Sequence, residues 1–239
     1  MKYLDLTLDD AAGNLACDEA LLEAHEAERP DGELLRLWEA KNYFVVLGHS
    51  NRIAAEVDLE ACGQRGIPVL RRMSGGGTVL QGPGCLNYSL ILNGAAHRLQ
   101  TIGEAFRFVL ERHRDCIGNL TDIEPRIDGI SDLTLAGRKF SGNAQHRKSH
   151  YLLVHGTFLL KFDLSLIATC LRMPTKQPAY RAARPHMAFL VNLELPAARL
   201  RDALRSAWQA VEPFAPVPQG RIATLVADRY ATVEWSRKF

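Results

Sequence analysis

Gly75, Gly76 and Gly77 stand in a row between Ser74 and Thr78. Lacking Cβ atoms, they let backbone approach a ligand closely and turn with positive φ. Exposed N–H groups in such a loop bind anions. No Gly-Lys-Ser/Thr ends the run, so it is not a Walker loop. Thr78-Val79-Leu80 reads as strand where a dinucleotide fingerprint would open a helix. A tight hairpin turn is the ordinary alternative, although three glycines cost more entropy than a turn needs. Arg71 and Arg72 precede the loop. Strand alternation lets one of them face a pocket, where a guanidinium suits phosphate or carboxylate; for either one alone an exposed arginine is the ordinary case.

Lys139 poses the same question beside Arg138. In a confined site its ammonium could stabilise an acyl phosphate and the carbonyl next to it, whereas a lone strand lysine is commonly solvated. Small residues follow at Ser141-Gly142-Asn143-Ala144 and leave room for a ligand. Asp132 could hold Mg²⁺ or accept a ribose hydroxyl, or sit solvated at a hairpin end. His155 could line the pocket with Thr157 or be a hydrogen-bonded core histidine. Cys85, next to a glycine, could be nucleophilic, but no neighbouring feature predicts a lowered pKa and a buried, inert thiol is the better reading.

These residues need a scaffold. Residues 14–28 have the pattern of a short amphipathic helix capped by Asn14. Strands are expected at 34–38, 43–47, 67–72 and 86–92. In the last, Leu86, Tyr88, Leu90 and Leu92 alternate with Asn87, Ser89 and Ile91, making one face more polar. Thr101 and Glu104 have capping-box spacing and open a helix. Asp132–Leu135 and Arg138–Phe140 flank Ala136-Gly137 as a tight hairpin. Two strands, 151–154 and 157–160, are expected around His155-Gly156, then helices over 164–170 and 199–211. Pro213, Pro216, Pro218 and Gly220 mark a loop. The irregular order predicts an α/β protein of α+β type, with a mixed, largely antiparallel sheet and flanking helices. One domain over 1–239 is expected.

The chain has 239 residues, 47% hydrophobic and 23% charged, an ordinary globular composition. Its 29 basic and 27 acidic side chains leave +2, which gives no reason to expect nucleic acid or an anionic membrane. No apolar run reaches membrane-helix length, and Met1–Asp5 lacks a signal-peptide core. Five scattered cysteines, none at Cys-x-x-Cys spacing, suit reduced thiols in a cytoplasmic protein.

Together the motifs resemble the lipoate–protein ligases. Arg71-Arg72-Met73-Ser74-Gly75-Gly76-Gly77-Thr78-Val79 with Gly84–Ser89 looks like their signature loop. Asp132-Leu133 with Gly137–Gln145 looks like their catalytic-lysine segment, and His155-Gly156-Thr157 like the strand after it. Weaker likenesses at Asn14, Val45–Gly48, Val191–Leu193 and Glu234-Trp235 spread the resemblance over almost the whole chain. It implies the fold shared by biotin ligases, lipoate ligases and octanoyltransferases. It also implies ATP-dependent activation of lipoate, with Mg²⁺, to lipoyl-AMP and pyrophosphate. Transfer to a lysine of a lipoyl domain or an H-protein-like carrier would follow.

Carried over position by position, Lys139 is catalytic and contacts the activated carbonyl and phosphate. Arg72, Ser74, Gly75, Gly76, Gly77, Thr78, Val79 and Asn87 hold the adenylate and line the lipoyl tunnel. Asp132 faces the adenylate or a Mg²⁺ ion, and Ser141, Ala144, His155 and Thr157 complete the pocket. The chain departs from the family pattern in three places. Ser131 stands where Asn often precedes the aspartate. The C-terminal accessory domain of the larger ligases is not expected here, so activation depends on a separate small protein or on this domain alone. Relatives that transfer octanoyl groups through a thioester use a cysteine near the lysine segment, and residues 117–150 contain none. An octanoyl or lipoyl transferase with a carrier-bound donor is the competing enzyme reading, and a noncatalytic lipoyl-domain binding subunit the non-enzyme one.

Overall fold

The computed structural model describes residues 1–30 and 32–239. Eleven strands are described: β1 (Lys2–Asp5), β2 (Leu34–Glu39), β3 (Phe44–Leu47), β4 (Val69–Arg71), β5 (Val79–Gln81), β6 (Cys85–Asn93), β7 (Arg126–Asp128), β8 (Asp132–Leu135), β9 (Arg138–Arg147), β10 (Tyr151–Leu159) and β11 (Glu212–Pro213). The helices are α1 (Ala11–Glu28), α2 (Ile53–Glu56), α3 (Leu59–Gln64), α4 (Ile102–Gly118), α5 (Leu164–Cys170), α6 (His186–Phe189), α7 (Ala197–Ala207), α8 (Gln219–Leu225) and α9 (Val233–Ser236).

The large sheet runs β11-β1-β2-β6-β10-β9-β8-β7, and a small one runs β4-β3-β5. From β2 to β7 every pairing is antiparallel; β1 lies parallel to both its neighbours. The expected mixed, largely antiparallel α/β fold is therefore present.

Alternation assigns each face of the large sheet its own partner. Leu35, Leu37, Leu86, Tyr88, Leu90, Val154 and Phe158 pack with α4 and α7. On the other face, Leu34, Trp38, Ile91 and Leu153 meet α1 and α8. α4 starts at the expected capping box. The Ala136-Gly137 turn has positive φ at both residues, 47° and 72°, as a two-residue hairpin of type I′ requires.

Some expectations change. α1 begins at Ala11 and is capped by Asp10, whose carboxylate accepts from the Gly13 amide at 2.6 Å. Asn14 lies one turn inside and is buried. β10 is unbroken through His155-Gly156, because both pair continuously with β6 and β9. The helix expected at 199–211 spans Ala197–Ala207. After the proline-rich loop the chain folds back, and Ile222, Leu225 and Tyr230 join the α1 core.

Candidate active site

The polar face of β6 is the floor of a cavity of about 660 Å³. Strand register sets Trp38, Asn87, Thr157, Gly142 and Asp132 side by side across β2, β6, β10, β9 and β8. At the usual strand spacing this row spans roughly 19 Å. A second row runs Arg36, Ser89, His155, Ala144. The glycine loop borders the cavity, and a strap, residues 172–190, supplies Arg172, Lys176, Arg181 and Phe189 to its wall.

Lys139 and Asp132 meet at the β8–β9 end, Nζ to Oδ1 at 2.7 Å. A bulge between Leu133 and Thr134 sets Thr134 opposite Lys139 while Asp132 faces Gly142. Lys139 therefore reaches Asp132 diagonally, over Gly142. A Cβ on Gly142 would lie 2.7 Å from the ammonium nitrogen, so the glycine opens the path. The Tyr180 hydroxyl, on the strap, donates to Asp132 Oδ2 at 2.7 Å. The solvated alternatives for Lys139 and Asp132 are set aside. Both oxygens of Asp132 are engaged, and no group of three or more potential ligating side chains occurs among the described residues. A Mg²⁺ ion at Asp132 would share the carboxylate with Lys139 and Tyr180 and draw its remaining ligands from substrate phosphates and water.

Both arginines before the glycine loop are buried, although for either one alone exposure is the ordinary case. Arg72 turns inward: Nη2 donates to the Gly75 and Gly77 carbonyls at 2.5 and 2.8 Å, and Nε to Ser74 Oγ at 2.9 Å. Burial pushes its pKa down to about 10. Arg71 holds the loop from behind, donating to the carbonyls of Gly48, His49, Asn51, Trp235 and Ser236. Gly48 admits the loop, since a Cβ there would lie 2.2 Å from the Gly76 carbonyl oxygen. Gly76 itself has φ +88°.

Ser74 extends the bracing to α1. Its Oγ is 2.6 Å from His155 Nε2; His155 Nδ1 is 3.4 Å from Asp18 Oδ2; Asp18 Oδ1 accepts from Arg36 at 2.6 Å. Burial would raise the Asp18 pKa, but the Arg36 and His155 partners hold it below the usual carboxylate range.

The cavity is largely apolar but carries buried polar atoms without a partner and cations without a carboxylate. Trp38 Nε1, Gln81 Oε1, Asn87 Oδ1 and Ser89 Oγ are buried without a hydrogen-bond partner, and all four residues line it. Ion pairs join Lys139 to Asp132 and Arg36 to Asp18, and His155 lies 3.4 Å from Asp18. Arg72, Arg172, Lys176 and Arg181 line the cavity with no ion-pair partner among the described residues. An apolar chamber lined by cations without a carboxylate partner suits a ligand with a hydrocarbon arm and an anionic head.

Of the site residues expected from sequence, Lys139, Arg72, Gly76, Gly77, Thr78, Val79, Asn87, Asp132, Ser141, Ala144, His155 and Thr157 line this one cavity. Ser74 and Gly75 do not: Ser74 is buried beneath the loop and Gly75 faces outward. Sequence reasoning missed the strap, Trp38 and Asp18. The alternation of β6 pointed to Ser89, whereas nothing local marked the strap. Cys85 is fully buried outside the lining, its thiol pushed up to about 12 by burial, and no described cysteine lines the cavity.

The family model described as "Lipoyl protein ligase A/B catalytic domain" matches residues 10–204. An octanoyltransferase LipM from Oceanobacillus iheyensis is 28% identical over 228 residues, covering 87% of this chain and 82% of that protein. A putative lipoate-protein ligase A from Aeropyrum pernix is 32% identical over 154 residues, covering 64% of this chain and 55% of that protein. Among solved structures, lipoate-protein ligase A bound with ATP superposes with a TM-score of 0.84 at 22% identity, covering 99% of this chain and 98% of that one. A bipartite lipoate protein ligase from Thermoplasma acidophilum gives 0.83, also at 22%, covering 99% and 95%.

Proposed function

We propose a function on one premise: this chain belongs to the lipoyl protein ligase A/B catalytic-domain family. The reaction is ATP-dependent lipoylation. Lipoate is activated as lipoyl-AMP with release of pyrophosphate, and the lipoyl group passes to a lysine of a lipoyl domain or H-protein-like carrier. The supporting observation is that Arg172, Lys176 and Arg181, which have no ion-pair partner among the described residues, line the same cavity as Lys139, and that its described wall contains no cysteine. A carrier-bound thioester route through the enzyme needs a nucleophile, and the buried Cys85 thiol does not supply one.

In this reading the acyl arm lies along the row from Gly142 toward Trp38. Its carboxylate lies at Lys139, where a carboxylate oxygen attacks the α-phosphorus and pyrophosphate departs. Arg172, Lys176 and Arg181 receive the phosphates, and backbone N–H groups of the glycine loop face the adenylate. Magnesium supplies charge neutralisation on the nucleotide. Lys139 then holds the mixed anhydride while the acceptor amine attacks the carbonyl and AMP leaves. The catalytic machinery is one domain over residues 1–239, with an accessory protein as a further requirement to be tested.

A second reading is transfer of an octanoyl group from a carrier, favoured by the relatives named octanoyltransferase. Intact-mass analysis of an apo lipoyl domain incubated with the protein, lipoate and Mg²⁺ separates the two. The ligase gives a lipoyl mass gain only with ATP. A gain from an octanoyl-carrier without ATP gives the transferase.

A further inference from the structure

We propose that Tyr180 is a positioning residue, coupling closure of the 172–190 strap to the aim of Lys139 through Asp132. This rests on the reading that Lys139 handles the activated acyl group. The observation is a three-membered chain in which the carboxylate is shared. Asp132 Oδ1 takes Lys139 at 2.7 Å, and Oδ2 takes the Tyr180 hydroxyl at 2.7 Å.

Burial, reinforced by Asp132, raises the Tyr180 pKa, so the hydroxyl stays protonated and acts as a donor. With the strap down, Tyr180 shares the negative charge of Asp132. Two of the three ammonium N–H groups of Lys139 then remain for a ligand. With the strap lifted, Lys139 is the one described partner left to Asp132 and is drawn to it.

The strap is anchored at one end and turns through a strained backbone in its middle. Its far end is stitched to the same hairpin: Arg138 donates to the Leu190 carbonyl at 2.6 Å, the Val191 amide to the Lys139 carbonyl at 3.0 Å, and Arg184 to the Gly137 carbonyl at 3.0 Å. Directly after Tyr180 and Arg181, Ala182 and Ala183 both hold positive φ, 49° and 56°. Two consecutive alanines in the left-handed region persist only where surrounding contacts impose them. Tyr180 supplies such a contact on the cavity side.

The test uses the full chain with Tyr180→Phe, Asp132→Asn, Lys139→Met and the Tyr180→Phe/Asp132→Asn pair. Amide hydrogen exchange over residues 173–190, without substrates, reads closure. Tyr180→Phe is expected to speed it about tenfold. Lys139→Met is expected to slow it, because coupling is reciprocal and Asp132 then serves Tyr180 alone. Lipoylation kinetics read the aim: Tyr180→Phe lowers kcat about tenfold with little change in lipoate KM, and the double variant is no worse than Asp132→Asn. The proposal is overturned by unchanged exchange in Tyr180→Phe, by exchange in Lys139→Met that is not slowed, or by kcat losses that multiply in the double variant. A wild-type chain that transfers no acyl group sinks the ligase reading instead, and the exchange comparison still decides the coupling.

Discussion

Gly142 and Gly156 make opposite demands, although both are strand glycines with ordinary φ. A methyl on Gly142 meets the tip of a flexible side chain, the Lys139 ammonium at 2.7 Å. Lys139 can swing aside, so Gly142→Ala should keep its melting temperature while lipoylation falls roughly a hundredfold, the usual cost of misplacing a reacting group by an ångström. A methyl on Gly156 meets Asn143 Oδ1 at 1.9 Å and the Tyr88 ring at 2.8 Å. Asn143 is fixed by the Tyr88 hydroxyl and the Ser131 carbonyl. Gly156→Ala should therefore destabilise by about 1–3 kcal/mol or more in urea titration. Cys85→Ala should transfer lipoyl groups at the wild-type rate; a large loss would revive the thioester route. The sequence showed small residues at both glycines, but not which neighbour each one admits. That depends on cross-strand register and on a bulge that no local pattern announces.

Elements with a strong period or a paired cap were legible from the chain alone. The capping box at Thr101, the Ala136-Gly137 turn and the polar–apolar alternation of β6 each carry their own physical signature. The strap carries none. Its turns are too short for periodicity, and its position is set by arginines reaching distant carbonyls and by Tyr180 reaching Asp132. The Asn14 cap failed for a related reason: the side chain found tertiary partners in Leu8 and Arg36, leaving Asp10 to cap. Within the strap, the paired left-handed alanines invite a direct test. Ala182→Gly and Ala183→Gly each remove a Cβ penalty of about 1–2 kcal/mol, partly offset by greater freedom in the unfolded chain. A small rise in melting temperature from either change is expected, and a fall would show that the methyl groups pack productively.

Across the whole molecule, a buried histidine makes stability depend on acid. On the α4–α7 side, His113 is fully buried and accepts from the Trp208 indole at 2.9 Å, leaving Nδ1 without a partner. Burial pushes its pKa from 6.5 to about 3. Between those values the unfolded chain binds a proton that the fold refuses, so stability should fall as pH drops from 6.5 toward 3 and lose this dependence above 6.5. Urea midpoints across that range check the sign. His113→Gln, which can still accept from Trp208, should flatten the slope.

The bracing of the glycine loop by Arg71 also has an optical consequence. The chain has three tryptophans. Trp38 lines the cavity, Trp208 lies in the far core, and Trp235 donates its indole N–H to the Arg71 carbonyl at 2.8 Å. Because Arg71 sits one residue before the arginine that shapes the loop, a ligand that shifts the glycines alters the environment of Trp235, and one that fills the acyl cavity alters that of Trp38. Single-tryptophan variants would turn intrinsic fluorescence into two separate gauges, one for the head of the ligand and one for its tail.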